Sequence, residues 1–266
     1  MSVLFDISGK TALVTGGSRG IGLMIAKGFV QAGVKTYITS RKADACEAAA
    51  AELNKIGTCI PLPHDLGDMA EVKALAAEIA AREPKLHILV NNAGAAWAQP
   101  FGEYTEAGWD KLMNLNLKAI FFLTQALLPE LRAAATPDDP ARVLNIGSID
   151  GILSPAIETY AYSASKAAVH HLTHHLSRHL ARDAINVNAI APGPFETKML
   201  APVLAANRAA VESGVPRGRV GRDDDMIGAA IFYCSPASSY VTGTVLPVDG
   251  GITGGAYTTL AWENGM

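Results

Sequence analysis

Cysteine is scarce in this chain. Its 266 residues hold three, Cys46, Cys59 and Cys234, widely spaced and never as a C-x-x-C pair. An odd, scattered set argues against a disulfide framework or a zinc site and suits a reducing compartment, so a cytoplasmic protein is expected. Charge is sparse too. Charged residues make up 18%, with 22 Lys plus Arg against 25 Asp plus Glu and a net charge of −3. That balance carries no electrostatic footprint for nucleic acid or an anionic membrane. No apolar run reaches the roughly 18 residues of a spanning helix, and the first ten residues lack the basic start and apolar run of a signal peptide. Neither nucleic acid nor membrane is therefore an expected partner.

What is present is a hydrophobic fraction of 49%, too high for a disordered chain. Short β-branched runs alternate with Ala-rich helical stretches. Strands are expected at 11–15, 35–39, 59–62, 88–91, 142–146, 185–190 and 244–248. Between them fall helices at 21–32, 43–56, 68–82, 108–134, 160–182 and 223–233, with Asp68 as an N-cap and Pro129 breaking the fourth. Apolar strands separated by helices imply a parallel sheet covered on both faces. The expected fold is α/β: a doubly wound Rossmann-type sheet of about seven strands. No linker or repeat divides the chain, so residues 1–266 read as one domain.

After the first strand comes Thr15-Gly16-Gly17-Ser18-Arg19-Gly20-Ile21-Gly22, leading straight into a helix. Glycine permits the tight turn and a close approach of backbone N–H groups to a pyrophosphate, where the helix dipole favours negative charge. A tight turn without ligand has the same composition; the placement between strand and helix favours the phosphate site.

The T-G-x-x-x-G-x-G pattern resembles the short-chain dehydrogenase/reductase family. So do Asn91-Asn92-Ala93-Gly94, Asn116, Ser148 with Tyr162-x-x-x-Lys166, and Pro192-Gly193 with Thr197, in order over nearly the whole chain. The resemblance implies cofactor contacts from Gly16, Ser18, Arg19, Gly20, Ile21, Gly22, Arg41, Asp65, Leu66, Asn92, Ala93, Gly94, Tyr162, Lys166, Pro192, Gly193 and Thr197. It implies catalysis by Asn116, Ser148, Tyr162 and Lys166, with Asn116 anchoring a water that links Lys166 to solvent.

The second strand ends Thr39-Ser40-Arg41-Lys42, with no acid to bind the ribose hydroxyls of NAD. A guanidinium grips a 2′-phosphate through two parallel bonds. Arg41 and Arg19 therefore point to NADP(H), the alternative being ordinary solvated charges.

Tyr162 and Lys166 lie four apart and share one helix face. An ammonium beside a phenol favours the phenolate, so the expected effect is a lowered tyrosine pKa and a usable general acid/base. Ser148 is placed to hydrogen-bond the substrate oxygen. Tyr160 has Ala164 four residues on and reads as packing or pocket lining.

Five histidines, at 170, 171, 174, 175 and 179, crowd one helix without a completing carboxylate. Interface or surface packing is expected there rather than a metal. Residues 192–221 are too long for a connector and read as a substrate lid, with Phe195, Met199, Leu200, Val203 and Leu204 facing an apolar substrate; the alternative is a mobile surface loop. The tail bears Tyr257, Leu260 and Trp262, which suggests an interface or folding over its own subunit. The family habit implies a homotetramer or homodimer.

The function expected is NADPH-dependent reduction of a ketone to a secondary alcohol. Ala96-Trp97, Gly108-Trp109, Pro140-Ala141-Arg142-Val143 and Tyr160-Ala161-Tyr162 are similar to the 3-oxoacyl reductases associated with rhamnolipid synthesis, which implies a 3-oxoacyl thioester substrate. The alternatives are an alcohol, sugar or steroid dehydrogenase and, in another class, a non-catalytic NADP-binding sensor or scaffold.

Overall fold

Seven strands form one parallel sheet in a computed structural model that describes residues 3–254. They are β1 (Thr11–Thr15), β2 (Lys35–Thr39), β3 (Cys59–Pro61), β4 (Ile88–Asn91), β5 (Ala141–Ile146), β6 (Ile185–Pro192) and β7 (Val245–Val248). Their order is β3-β2-β1-β4-β5-β6-β7, and every neighbouring pair is parallel. Connection direction reverses between β1 and β4, where a crevice opens at the carboxyl ends of the strands.

Alternation along each strand sends side chains into two cores. From β1, Ala12 and Val14 join one face while Leu13 joins the other; in β4, Ile88 and Val90 oppose Leu89 in the same way. The first core takes Ile25 and Phe29 from α1 (Gly20–Gln31), Cys46 from α2 (Ala43–Leu53) and Met226 from α9 (Asp223–Cys234). The second takes Leu75 and Ile79 from α3 (Met69–Arg82) and Leu123 from α5 (Ala119–Ala126). Burying each such side chain contributes about 1.5–3 kcal/mol. Double coverage is why the strands read as apolar throughout. All three cysteines are buried and free.

The expected helix at 108–134 is several pieces. It begins as α4 (Glu106–Met113), capped by Thr105, whose hydroxyl accepts from the Gly108 N–H at 3.2 Å. A π-helical turn occupies Asn114–Lys118 before α5. The chain then breaks at Leu127 and bends 57° into α6 (Leu128–Ala134), with Pro129 in its first turn. Proline forced the break, as expected; nothing in the apolar period signalled the π turn.

The second helix stops at Leu53 instead of residue 56, because Asn54 turns its amide onto both backbone groups of Cys59. Asp68 caps α3 through Ala70 N–H at 2.8 Å. The long α7 spans Tyr160–Leu180, and α8, in the 192–221 segment, spans Ala201–Ser213 with a non-helical Asn207. Among the described residues no single helix is long and apolar enough to cross a membrane. Tyr257, Leu260 and Trp262 lie outside the described residues.

Candidate active site

The glycine-rich turn leaves β1 with Gly16 at φ +66° and Gly20 at φ +55°, conformations open to glycine and strained for other residues. An added Cβ at Gly16 would stand 2.7 Å from Asn92 Nδ2, and one at Gly22 would collide with the same amide and with the Gly16 carbonyl. Asn92 is the reason for both limits. Its amide donates to the Thr15 carbonyl at 2.8 Å and the Gly16 carbonyl at 3.3 Å, tying the β4 end to the turn. The Thr15 hydroxyl accepts from Asn92 N–H at 2.8 Å and Ala93 N–H at 2.9 Å and donates to Val90 O at 3.2 Å. Thr15 is thus a structural hinge of the site that the motif reading left without a role.

The turn delivers an open helix start. No side chain caps α1, and its first turn holds no acid. By contrast α3 and α4 are capped by Asp68 and Thr105. Free N–H groups at the positive end of a helix dipole suit a phosphate. Arg19 and Arg41 are exposed, and neither lies within 4 Å of a described carboxylate. Across the turn an added Cβ at Gly20 would meet Thr197 Cγ2 at 3.3 Å, so the 192–197 segment faces the glycine turn. Leu66 is buried, and the Asp65 carboxyl accepts the Gly67 N–H at 3.0 Å.

The second half of the site lies beyond β5. Ser148 ends the strand segment and caps a 3-10 turn, Ile149–Gly151, its hydroxyl oxygen accepting the Asp150 N–H at 3.1 Å. That leaves the Ser148 O–H free to donate. Tyr162 and Lys166 come from the first turns of α7, and Lys166 is buried. Its ammonium lies 5.7 Å from the Tyr162 ring centroid and donates to the Ile146 carbonyl at 2.7 Å.

This placement corrects the expected electrostatics. Burial raises the Tyr162 pKa above the usual tyrosine value; Ser148 draws it down and the Asp150 charge raises it further. Lys166 lies 5.7 Å from the ring centroid, and burial outweighs the help its charge was expected to give the phenolate. Burial pushes Lys166 itself down to about 8.

Asn116 sits inside the π turn and is fully buried. Its Oδ1 accepts Ala95 N–H at 2.9 Å, and its Nδ2 donates to Ala95 O at 2.9 Å and Ser165 Oγ at 3.0 Å. Both amide protons and one lone pair of the oxygen hold the segment after Gly94 and α7, which leaves one acceptor position on Oδ1. An added Cβ at Gly94 would lie 3.3 Å from Asn116 Oδ1 and 3.6 Å from Lys166 Nζ, which brings the two halves of the site together at one point.

Several surrounding expectations change. Phe195 is a core residue at 3% exposure, so it does not line a lid. Met199 and Val203 are exposed and Leu200 and Leu204 half-buried. Tyr160 donates to Glu158 at 2.7 Å and packs edge-on against Phe101 and Tyr104, with ring centroids 5.5 and 5.9 Å away. Among the histidines, His170 is buried, His174 meets the Gly243 carbonyl at 2.7 Å, and His175 and His179 stack edge-on. No three His, Cys, Asp or Glu side chains among the described residues converge as metal ligands.

A fold with this sheet order and this site defines a nucleotide-binding oxidoreductase class. Residues 10–208 match the family model described as short chain dehydrogenase, and the chain belongs to that family. It is 43% identical over 253 residues to the rhamnolipids biosynthesis 3-oxoacyl-[acyl-carrier-protein] reductase of Pseudomonas aeruginosa, covering 94% of this chain and 99% of that protein. It is 37% identical to gluconate 5-dehydrogenase of Gluconobacter oxydans, with 94% and 97% covered. The solved Pseudomonas aeruginosa RhlG/NADP active-site complex superposes with a TM-score of 0.92 at 42% identity, covering 95% of this chain and all of that one.

Proposed function

We propose that this chain reduces a ketone to a secondary alcohol with NADPH. The observation that carries the proposal is the Asn92–Gly94 run, which is tied through Asn92 to the turn that opens the uncapped α1 and meets Lys166 at Gly94, with Tyr162 beside Lys166 and Ser148 beside Tyr162. The turn from Gly16 to Gly22 would hold the pyrophosphate, Arg19 and Arg41 the 2′-phosphate, and Lys166 the nicotinamide ribose. Asp65 and Leu66 would flank the adenine, while Asn92, Ala93, Gly94, Pro192, Gly193 and Thr197 would complete the cleft. When bound, NADPH supplies the hydride.

The protein's own part is proton and charge management. Tyr162, kept protonated by burial, donates its phenolic proton to the substrate oxygen. Ser148 donates a hydrogen bond to the same oxygen as charge develops there. Lys166, with a pKa of about 8, returns a proton to the phenol near neutral pH. Asn116 would anchor the water that links Lys166 to solvent.

Two substrate classes follow from the relatives. The 43% identical relative supports a 3-oxoacyl thioester, and the 37% identical one supports a hydroxylated, sugar-type ketone. Exposed Phe121 and Phe122 on α5 and the outer His residues of α7 support a homodimer or homotetramer, which sedimentation equilibrium would test.

Titration of the protein with NADPH and NADH, followed by fluorescence, tests the cofactor assignment. NADPH should bind at least tenfold more tightly. Equal affinities would remove the phosphate clamp and favour an oxidative dehydrogenase.

A further inference from the structure

Asp150 is a carboxylate without a partner. It is half-buried, yet among the described residues no Lys, Arg or His nitrogen lies within 4 Å of it and no donor hydrogen-bonds its oxygens. Only its backbone is engaged, through the N–H given to Ser148. A carboxylate withdrawn from water normally has a cation or several donors around it.

Its position is well defined. Asp150 lies in the 3-10 turn that Ser148 caps, and that turn is pressed onto α7 so closely that an added Cβ at Gly151 would stand 2.7 Å from the Lys166 carbonyl carbon. The Asp150 N–H lies 3.1 Å from the Ser148 hydroxyl oxygen, so its side chain leaves the backbone beside the group that meets the substrate oxygen. Burial raises its own pKa, as expected of an unpaired acid.

We infer that Asp150 is a specificity-determining residue that accepts a hydrogen bond from a hydroxyl group beside the reacting carbonyl, so that the substrate is a hydroxyketone. Two residues span at most about 7 Å of chain. With Ser148 on the reacting oxygen, Asp150 reaches groups one or two carbons away. A hydroxyl there satisfies the carboxylate. The bare carbonyl of a 3-oxoacyl thioester offers no proton and meets a negative charge. The inference rests on the reductase assignment and decides between its two substrate classes.

The experiment compares matched ketones with NADPH: 3-hydroxybutan-2-one against butan-2-one, and 1,3-dihydroxypropan-2-one against propan-2-one. A hydrogen bond to a charged acceptor is worth about tenfold or more in kcat/KM. The wild type should favour each hydroxyketone by at least about tenfold. In Asp150→Ala that ratio should fall to within about threefold, and Asp150→Asn, which keeps a carbonyl acceptor, should lie between. Thermal midpoint and NADPH affinity report whether each variant is folded. A wild-type ratio near one, a ratio that survives in Asp150→Ala, or better turnover of a 3-oxoacyl thioester overturns the inference and leaves the reductase intact. Reduction of no ketone at all overturns the reductase assignment itself.

Discussion

The two strand-to-helix junctions of the site solve different problems with different atoms. Between β1 and α1 the chain offers backbone: glycines at positive φ, an uncapped helix start, and Asn92 wedged where any Cβ would fall. Between β5 and α7 it offers side chains: Ser148, Tyr162 and Lys166, backed by the buried His170. A backbone site cannot be tuned without displacing packed atoms, so substitutions there should cost folding and binding together. A side-chain site can lose one functional atom with its shape intact, so substitutions there should cost chemistry alone.

The sharpest test is at the second junction. Tyr162→Phe removes one oxygen and should lower kcat by about 10³-fold, within the range for loss of a general acid. NADPH affinity, read by fluorescence titration, should stay within about threefold. A variant that kept its turnover would refute the proton-donor role.

At the first junction the expected outcome is reversed. Gly22→Ala puts a methyl group against the Asn92 amide and the Gly16 carbonyl, neither of which can retreat without breaking the Asn92–Thr15 hydrogen bond. Overpacking of this kind costs about 1–3 kcal/mol, and denaturant unfolding should show it alongside weakened NADPH binding. Full stability with intact binding would break the contrast between junctions.

His170 sharpens it through pH. Burial, with the nearby Lys166 charge, pushes its pKa down to about 4. The unfolded chain binds this proton near 6.5, so between those values the unfolded state holds more protons and stability rises with pH. The contribution is complete above about pH 6.5 and is lost as pH falls through 4. Order-of-magnitude linkage gives up to about 3 kcal/mol. In His170→Leu, the slope of unfolding free energy between pH 4 and 6.5 should flatten; an unchanged slope would place that titration elsewhere.

The smallest effect belongs to an exposed charge. Arg41→Ala should weaken NADPH binding by about tenfold, or some 1.4 kcal/mol, and leave NADH nearly unchanged. Salt should reduce the difference, as it does for solvated pairs. Equal losses for both cofactors would show that Arg41 serves the fold or the shared part of the nucleotide.

Much of this was legible from the chain. Thr11–Thr15, Lys35–Thr39 and Ile88–Asn91 were read to the residue because buried parallel strands are continuous apolar runs between turns. Gly16, Gly20 and Gly22 announced a turn that only glycine fills. The seven-stranded sheet and the family followed from such local signals.

Other features had no local signal. The π turn around Asn116, the burial of Phe195 and the wedge of Asn92 depend on residues distant in sequence. So does the sign of the Tyr162 shift: i,i+4 spacing put Lys166 on the same face, but burial and the Ile146 carbonyl decided where its charge went. Asp150 looked like any turn acid until the fold half-buried it beside Ser148 with no cation in reach. Sequence by itself determined the elements, the phosphate turn and the identity of the reactive groups, because propensity and covalent chemistry are local. Tertiary structure alone decided protonation, partnership and which charge faces the substrate, because these depend on desolvation and on neighbours brought from elsewhere in the chain.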